Sequence, residues 1–406
     1  MPNQLLTLGM ITREALRLFR NSNYFLRTVP RQFDDQFGRR GAKIGAQLRI
    51  RLPNDYTVRL GPTAMPQSTN EQQTVLTLAT QAGVDVAFSS AERELSLDDY
   101  SRRILAPAVN VLAARVAVDL MNNVNNGVNF VRNVDATGNT IPPTAGTWLA
   151  AGALLDMMSS PRADRFVVMD PLTQSRTVTS LMGLFNPQRI ISEQYIRGTL
   201  TTDTLGFDWG MDQTTSVHTT GNYGTPPTVN GANQTGAMLT VTPLAGNVNR
   251  GDVFSIPGVY SVNRVSKMPN ALLAQFAVQQ DLAAGATVIP IYPPIIRYDT
   301  TTNMPQPYQT VNASPATGAA LQFATAPGEV FRKNFAYYAE AVTLATAELE
   351  LPQGVHEAAR ETYDGISMRM ITDYAVMSDQ FITRLDILYG SALLRPEWLV
   401  TVADVP

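Results

Sequence analysis

The sequence predicts an α+β protein that carries an inserted all-β domain, and three observations lead there. A long helical stretch with one apolar face occupies residues 96–126, and an α/β alternation follows it. At about residue 222 the composition then turns to Gly, Pro, Thr and Asn and stays so to 330. The chain has 406 residues, long for a single core, so two or three domains are expected. Apolar residues make up 44% of it, enough for a sizeable interior. Charged residues make up only 16%, against roughly 25% in ordinary soluble proteins. A surface so poor in charge suits a protein whose faces are covered by neighbours.

Taken in order, residues 12–26 read as a short amphipathic helix with Thr12 as N-cap. Leu16 and Phe19 lie on one face and Arg13, Arg17 and Arg20 on the other. Such a helix is near the length limit for stability in water and gains order by docking. Residues 46–60 and 73–89 alternate with period two: Leu48, Ile50 and Leu52 interleave with Arg49 and Arg51, and Val84, Val86 and Phe88 keep the rhythm. With the turn-rich GPTAMPQSTNEQ (61–72) between them, they predict a long hairpin reaching over a partner.

Residues 96–126 are opened by Ser96 and Asp99 and closed by Asn-Asn-Gly at 125–127; Leu105, Val109, Leu112, Val116 and Leu120 line one face. The helix would be about 45 Å long, bent where Pro107 falls in its second or third turn. A helix at 146–158, a buried strand RFVVM (165–169) and a helix from Asp170-Pro171 through Phe185 make the α/β stretch, with another short helix from Asn186-Pro187. The inserted stretch offers strands AMLTVT (237–242), DVFSI (252–256) and ATVIPIY (286–292). A helical or mixed segment (331–347) and alternating strands through 402 end the chain.

Charge is uneven. Residues 1–60 carry net +7 and the remainder net −10; a basic arm on an acidic body favours head-to-tail contact between copies, and a solvated basic tail is the alternative on charge alone. The basic residues are almost all Arg, the lysines being Lys43, Lys267 and Lys333; Arg suits persistent two-point contacts. Cys is absent, which removes disulfides, thiolate metal sites and cysteine nucleophiles. No secretory signal is visible at the N-terminus, and Pro107, Asn110, Arg115 and Asp119 interrupt the most apolar stretch, 104–121, well short of a membrane span.

Histidines number two. His356 opens HEAAR (356–360), where Arg360 stands in place of a second zinc ligand, and His218 reads as a strand histidine. No phosphate-binding glycine motif occurs. Asp98/Asp99 fit a helix start and Glu348/Glu350 one face of a strand, while Arg250-Gly251-Asp252 fits a turn. The residues thus assign no catalytic, cofactor or metal site.

Three phrases carry a family resemblance: GFDWGMDQTTSVHTTG (206–221), NFAYYAEAVTLATAELELP (334–352) and GISMRMITDYAVMSDQFITRLDILYGSALLRPEWLVTV (365–402). In this order and spacing they resemble the major capsid (coat) proteins of tailed bacteriophages, nearest those of short-tailed phages of the P22 type with an inserted domain. The resemblance implies the Hong Kong 97-like capsid fold. Residues 1–32 would be the N-terminal arm. Residues 33–129 and 363–406 would be the peripheral domain, with an extended loop at 44–89 and a spine helix at 96–126. Residues 130–221 and 331–362 would be the axial α/β domain, and 222–330 the inserted β domain.

It further implies a non-enzymatic protein whose pentamers and hexamers self-assemble, in the host bacterial cytoplasm, into an icosahedral shell holding double-stranded DNA non-specifically. A separate scaffolding protein and a portal protein would be partners, with no cofactor and no membrane. Residues 44–90 contain no Lys, so the Lys–Asn cross-link some relatives form from this loop is not expected here. Expected contacts between subunits fall on Arg13, Arg17, Phe19, Arg20, Arg49, Arg51 and Arg59, and expected hinges on Pro107, Gly221 and Gly328. Another virion part, such as a tail or decoration protein, and a carboxylate-dependent hydrolase are the alternatives.

Overall fold

The computed structural model describes residues 8–31, 45–58, 61–62, 66, 71–89, 104–124, 127–181, 204–298, 306–377 and 380–406. The chain falls into two units. One comprises Met1–Leu52, Gln73–Asn123 and Val342–Leu394; the other comprises Pro53–Gln72, Val124–Ala341 and Arg395–Pro406. Helices and strands are mixed throughout, as an α+β chain requires.

The first unit is organised on one long strand, Gln380–Leu393. Ile366–Ala375 pairs along one side of it and continues through the Asp364-Gly365 turn into Glu357–Tyr363. Val342–Ala347 follows Ile366–Ala375 on that same side along 388–393, and the other side is taken by Thr80–Ser89 along residues 380–389. The anticipated single hairpin of 46–60 with 73–89 is therefore divided. Ala46–Arg51 pairs with Gln73–Leu78 only, and Thr80–Ser89 joins the sheet of its own body. The hairpin base is not free either. Ile50, Leu76 and Leu78 form an apolar face packed on Ala345, Ala347, Leu388 and Ala392, which is what alternation does when one face is apolar. Gly390 makes that approach possible, because a Cβ there would stand 2.2 Å from the Thr77 carbonyl oxygen.

The arm helix, Leu8–Ser22, starts earlier than expected and docks on Glu357–Tyr363 and Ile366–Ala375 of its own chain through Thr12, Ala15, Leu16 and Phe19. Thr12 is thus not an N-cap; its buried hydroxyl donates to Leu8 O at 2.8 Å within the helix. The break comes at Asn23, whose Oδ1 accepts from Leu26 N at 3.1 Å and caps Tyr24–Thr28. Pro30 O then receives Leu344 N and Thr343 Oγ1, each at 3.2 Å, which ties the arm to the sheet.

The long helix is α-helical over Ala106–Val124, and the five apolar positions expected to face inward are all buried. Asp119 accepts from Tyr389 OH at 2.5 Å and Asn123 Nδ2 donates to Ser391 Oγ at 2.5 Å. The expected start at Ser96 and Asp99, the Asn125-Asn126 stop and the helix from Asn186 lie outside the described residues. Residues 104–105 form a π turn and α-helical bonding starts at Ala106, so Pro107 sits in the first α turn. A missing N–H is tolerated in a first α turn; the stretch before residue 104, on which the expected bend depends, lies outside the described residues.

The second unit holds a sheet in the order Asn129–Val131, Leu399–Asp404, Val330–Tyr338, Arg165–Met169, Asp208–Met211, with Val217–Thr219 also on Val330–Tyr338. Helices Ala145–Met157 and Pro171–Leu181 match the sequence reading. Trp148 and Leu155 of the first pack with Val167, Met169, Phe207, Trp209, Val400 and Val402. The segment expected as helical or mixed at 331–347 is two strands, Val330–Tyr338 and Val342–Ala347, separated by a 3-10 turn. Residues 331 and 333–337 are all buried, so the strand shows no alternation, and its alanines read as helix.

Residues 223–323 form a second core. Gly236–Thr240, Val288–Ile295, Pro269–Val278, Val253–Val262 and Gln322–Phe323 lie side by side in that order over Phe254, Phe276, Ile289 and Val311. The unit boundaries differ from those expected. Residues 342–362 go with the first unit because Val342–Ala347 pairs with Gln380–Leu393, and 395–406 go with the second because Leu399–Asp404 pairs with Val330–Tyr338.

Candidate functional site

The predicted arm contacts are largely satisfied inside the chain. Phe19 is fully buried against the hairpin of residues 357–375, so it is a core residue and not a contact between subunits. Arg13 reaches Glu361 at 3.2 Å. Arg20 reaches Asp364 at 2.9 Å and lies over the Tyr363 ring. Arg31, nearly buried, shares Asp364 at 2.9 Å and also donates to Leu26 O. Arg17 pairs with Glu14 on its own helix, and the Arg17 guanidinium lowers the Glu14 pKa. The basic arm and the acidic body thus meet within one subunit. Arg49 and Arg51 are exposed on the hairpin, on the face opposite Ile50; Arg59 lies outside the described residues.

Exposed apolar side chains mark a second surface. After Ile366–Ala375 the chain turns with Val376 at 78% and Met377 at 100% exposure, beside partly exposed Tyr374 and Ile382. Tyr374 and His356 both contact the Phe381 ring, with centroids 5.0 and 5.8 Å away.

The two glycines expected as hinges, Gly221 and Gly328, lie where the chain enters and leaves the β module. A Cβ on Gly221 would stand 2.5 Å from Asn247 O and 2.7 Å from Val248 Cα, so close packing explains the residue. Gly328 has φ 72° in a turn, and its N–H points to Gly221 O at 3.4 Å. The two strands that lead into and out of the β module are further stitched by Thr220 N to Glu329 O (2.9 Å) and by the Thr220–Thr325 hydroxyl pair (2.7 Å).

A buried polar node sits at this root. Asp252 Oδ1 meets His218 Nε2 at 2.7 Å, and its Oδ2 accepts from Gly221 N at 3.0 Å and Asn249 N at 2.8 Å. Asp252 is therefore an internal anchor, and the carboxylate of the Arg-Gly-Asp triplet is buried. Burial lowers the His218 pKa, with the Asp252 bond opposing it. Lys333, buried in the central strand, is pushed down to about 8 by burial, with Asp252 opposing and Arg250 assisting. Sequence reasoning passed over this node because His218, Asp252 and Lys333 are 34 and more residues apart.

A further ionic cluster surrounds Arg264. Its Nε lies 2.5 Å from Asp55 Oδ2, its Nη1 lies 2.7 Å from Glu397 Oε1, and Arg395 joins Glu397 at 3.3 Å. Among the described residues no group of three or more His, Asp or Glu could hold a metal, and no helix is long and apolar enough to cross a membrane.

Comparison with known proteins follows the same lines. The sequence model of the family described as "P22 coat protein - gene protein 5" matches residues 42–401. No curated protein matches. Among solved structures, Mycobacterium phage Che8 is 10% identical, covering 94% of this chain and 90% of that one, at TM-score 0.46. The capsid of Cyanophage P-SCSP1u is 10% identical over 94% and 88%, at 0.45. The capsid of Ralstonia phage GP4 is 6% identical over 93% and 87%, at 0.46.

Proposed function

The chain belongs to the P22 coat protein family and is a major capsid protein, and we propose that its copies close as pentamers and hexamers into an icosahedral shell around double-stranded DNA. Its place is the virion capsid, where it assembles with itself as a structural, non-enzymatic protein. The observation that carries this is the family match across 42–401. A tail or decoration part and a hydrolase are both set aside by it.

The finer reading has four parts. The segment between Arg51 and Gln73, where the hairpin ladder ends, is the part of the extended loop that crosses to a neighbour, with Arg49 and Arg51 beside it. The Val376–Met377 turn is a second contact between subunits, supported by its full exposure of apolar side chains. Residues 222–330 act as an inserted domain, supported by the separate core from Tyr223 to Leu321. Assembly takes place in the host cytoplasm with a separate scaffolding protein and a portal, and the DNA is held without sequence readout.

Expression of the full chain with and without a scaffolding partner, followed by sedimentation and negative-stain microscopy, tests the reading. Closed shells of uniform size are expected. A chain that stays monomeric, or forms only open sheets, in every combination would overturn it.

A further inference from the structure

We propose that Arg264 is a positioning residue for shell assembly: from the inserted module it grips the stem of the extended loop at Asp55, so the loop leaves its subunit already aimed at a neighbour. This rests on reading the segment between Arg51 and Gln73 as that loop. The antiparallel ladder stops at the Arg51–Gln73 pair, and residues 53–58 have no strand partner. Nor does apolar packing hold them, since Tyr56 and Val58 are exposed. A cavity of about 160 Å³ lies under the stem, lined among others by Asp55, Gln72, Arg264, Tyr292 and Tyr308.

Polar bonds hold the stem at Asn54 and Asp55. Asp55 Oδ2 receives Arg264 Nε at 2.5 Å, with Lys267 Nζ at 3.7 Å, and Asn54 Oδ1 receives Tyr308 OH at 3.2 Å. All three donors belong to the inserted module. Arg264 is itself braced. Its other prong bonds Glu397, which Arg395 and Tyr292 OH (3.4 Å) also engage, and Arg395 lies over the Trp398 ring. Its turn is pinned by Asn263, whose Oδ1 accepts Val265 N and Ser266 N at 2.9 and 3.0 Å and whose Nδ2 donates to Met157 O at 3.2 Å. A forked guanidinium spans two carboxylates, which a single ammonium cannot do. Burial alone would lower the Arg264 pKa, but Asp55 and Glu397 raise it, so the group stays charged.

The test uses the full chain under conditions in which the unaltered chain forms shells. Asp55→Asn leaves the Arg264–Glu397 bond in place. Its subunit is expected to melt at the parent temperature and to exchange amide hydrogens in 53–58 about tenfold faster. Shells should form at least tenfold more slowly, or in mixed sizes. Arg264→Lys should act in the same direction, in case one variant folds poorly. Two results overturn the proposal: parental exchange and assembly in both variants, or a general loss of protection with a lower melting temperature, which marks a merely structural bond. Deletion of residues 61–70 separates the parent reading. Normal shells after that deletion sink the loop assignment and this proposal together, whereas blocked assembly with a parental Asp55→Asn sinks this proposal alone.

Discussion

Replacing Lys333 with Met is expected to stabilise the unassembled subunit at neutral pH. Lys333 is buried in the strand Val330–Tyr338, and among the described residues no carboxylate comes within ion-pair distance of its ammonium. Its pKa falls from 10.5 to about 8, a net effect that already includes the attraction of Asp252. At 1.36 kcal/mol for each tenfold change, keeping the ammonium charged inside the fold costs about 3 kcal/mol. Methionine has nearly the same length and no charge, so Lys333→Met should recover about 2–3 kcal/mol at pH 7. Asp252 does not lose its place, because His218 and two backbone N–H groups hold it. The pH dependence has a definite sign. Between about 8 and 10.5 the unfolded chain binds more protons at this lysine than the folded one, so the parent gains stability as pH rises through that window. The advantage of the variant should be full below pH 8 and nearly gone at 10.5. Urea unfolding followed by Trp fluorescence reads this directly, since Trp148, Trp209 and Trp398 all belong to the second unit. An advantage that is flat from pH 7 to 10.5, or a variant less stable than the parent at pH 7, would refute the reasoning.

Phe19→Ala should cost about 3–5 kcal/mol by removing the buried ring that docks the arm helix, measured by urea unfolding of the subunit together with loss of exchange protection over 8–28. Gly390→Ala forces a Cβ into the Thr77 carbonyl and should cost about 1–3 kcal/mol, with faster amide exchange confined to 46–51 and 73–78. Met377→Asp alters a fully exposed side chain, so subunit stability should stay within about 0.5 kcal/mol; sedimentation should nonetheless find fewer shells.

Periodicity was a sound guide to faces and a poor guide to partners. The alternation from Gln73 to Ser89 is nearly unbroken in the sequence, yet at Ala79 the chain changes partner, from Ala46–Arg51 to Gln380–Leu393. Nothing local marks that switch, because both partners accept the same apolar alternation. RFVVM and the helix before it were legible because each is short, uniform and bounded by turn residues. Residues 331–347 misled, since a strand buried on both faces loses its alternation and its alanines imitate a helix. The arm shows the same limit for sites. Its amphipathic faces were correct, but the partner of the apolar face proved to be the subunit's own hairpin of 357–375. The Asp55–Arg264–Glu397 cluster was invisible for a different reason: it joins three segments spread over most of the chain, and charge composition carries no record of pairing.

The succession of partners on Gln380–Leu393 has a consequence for how the molecule is made. Thr80 finds Tyr389, and Ser89 finds Gln380, across loops of roughly 300 residues, so the first unit cannot close until distant parts of the chain have met. Loop closure on that scale is slow, and apolar strand edges stay open in the meantime. Refolding from denaturant should therefore be slow and should lose material to aggregation as concentration rises, which makes the search for these strands, more than the strength of any contact, the step a cell would need to shelter.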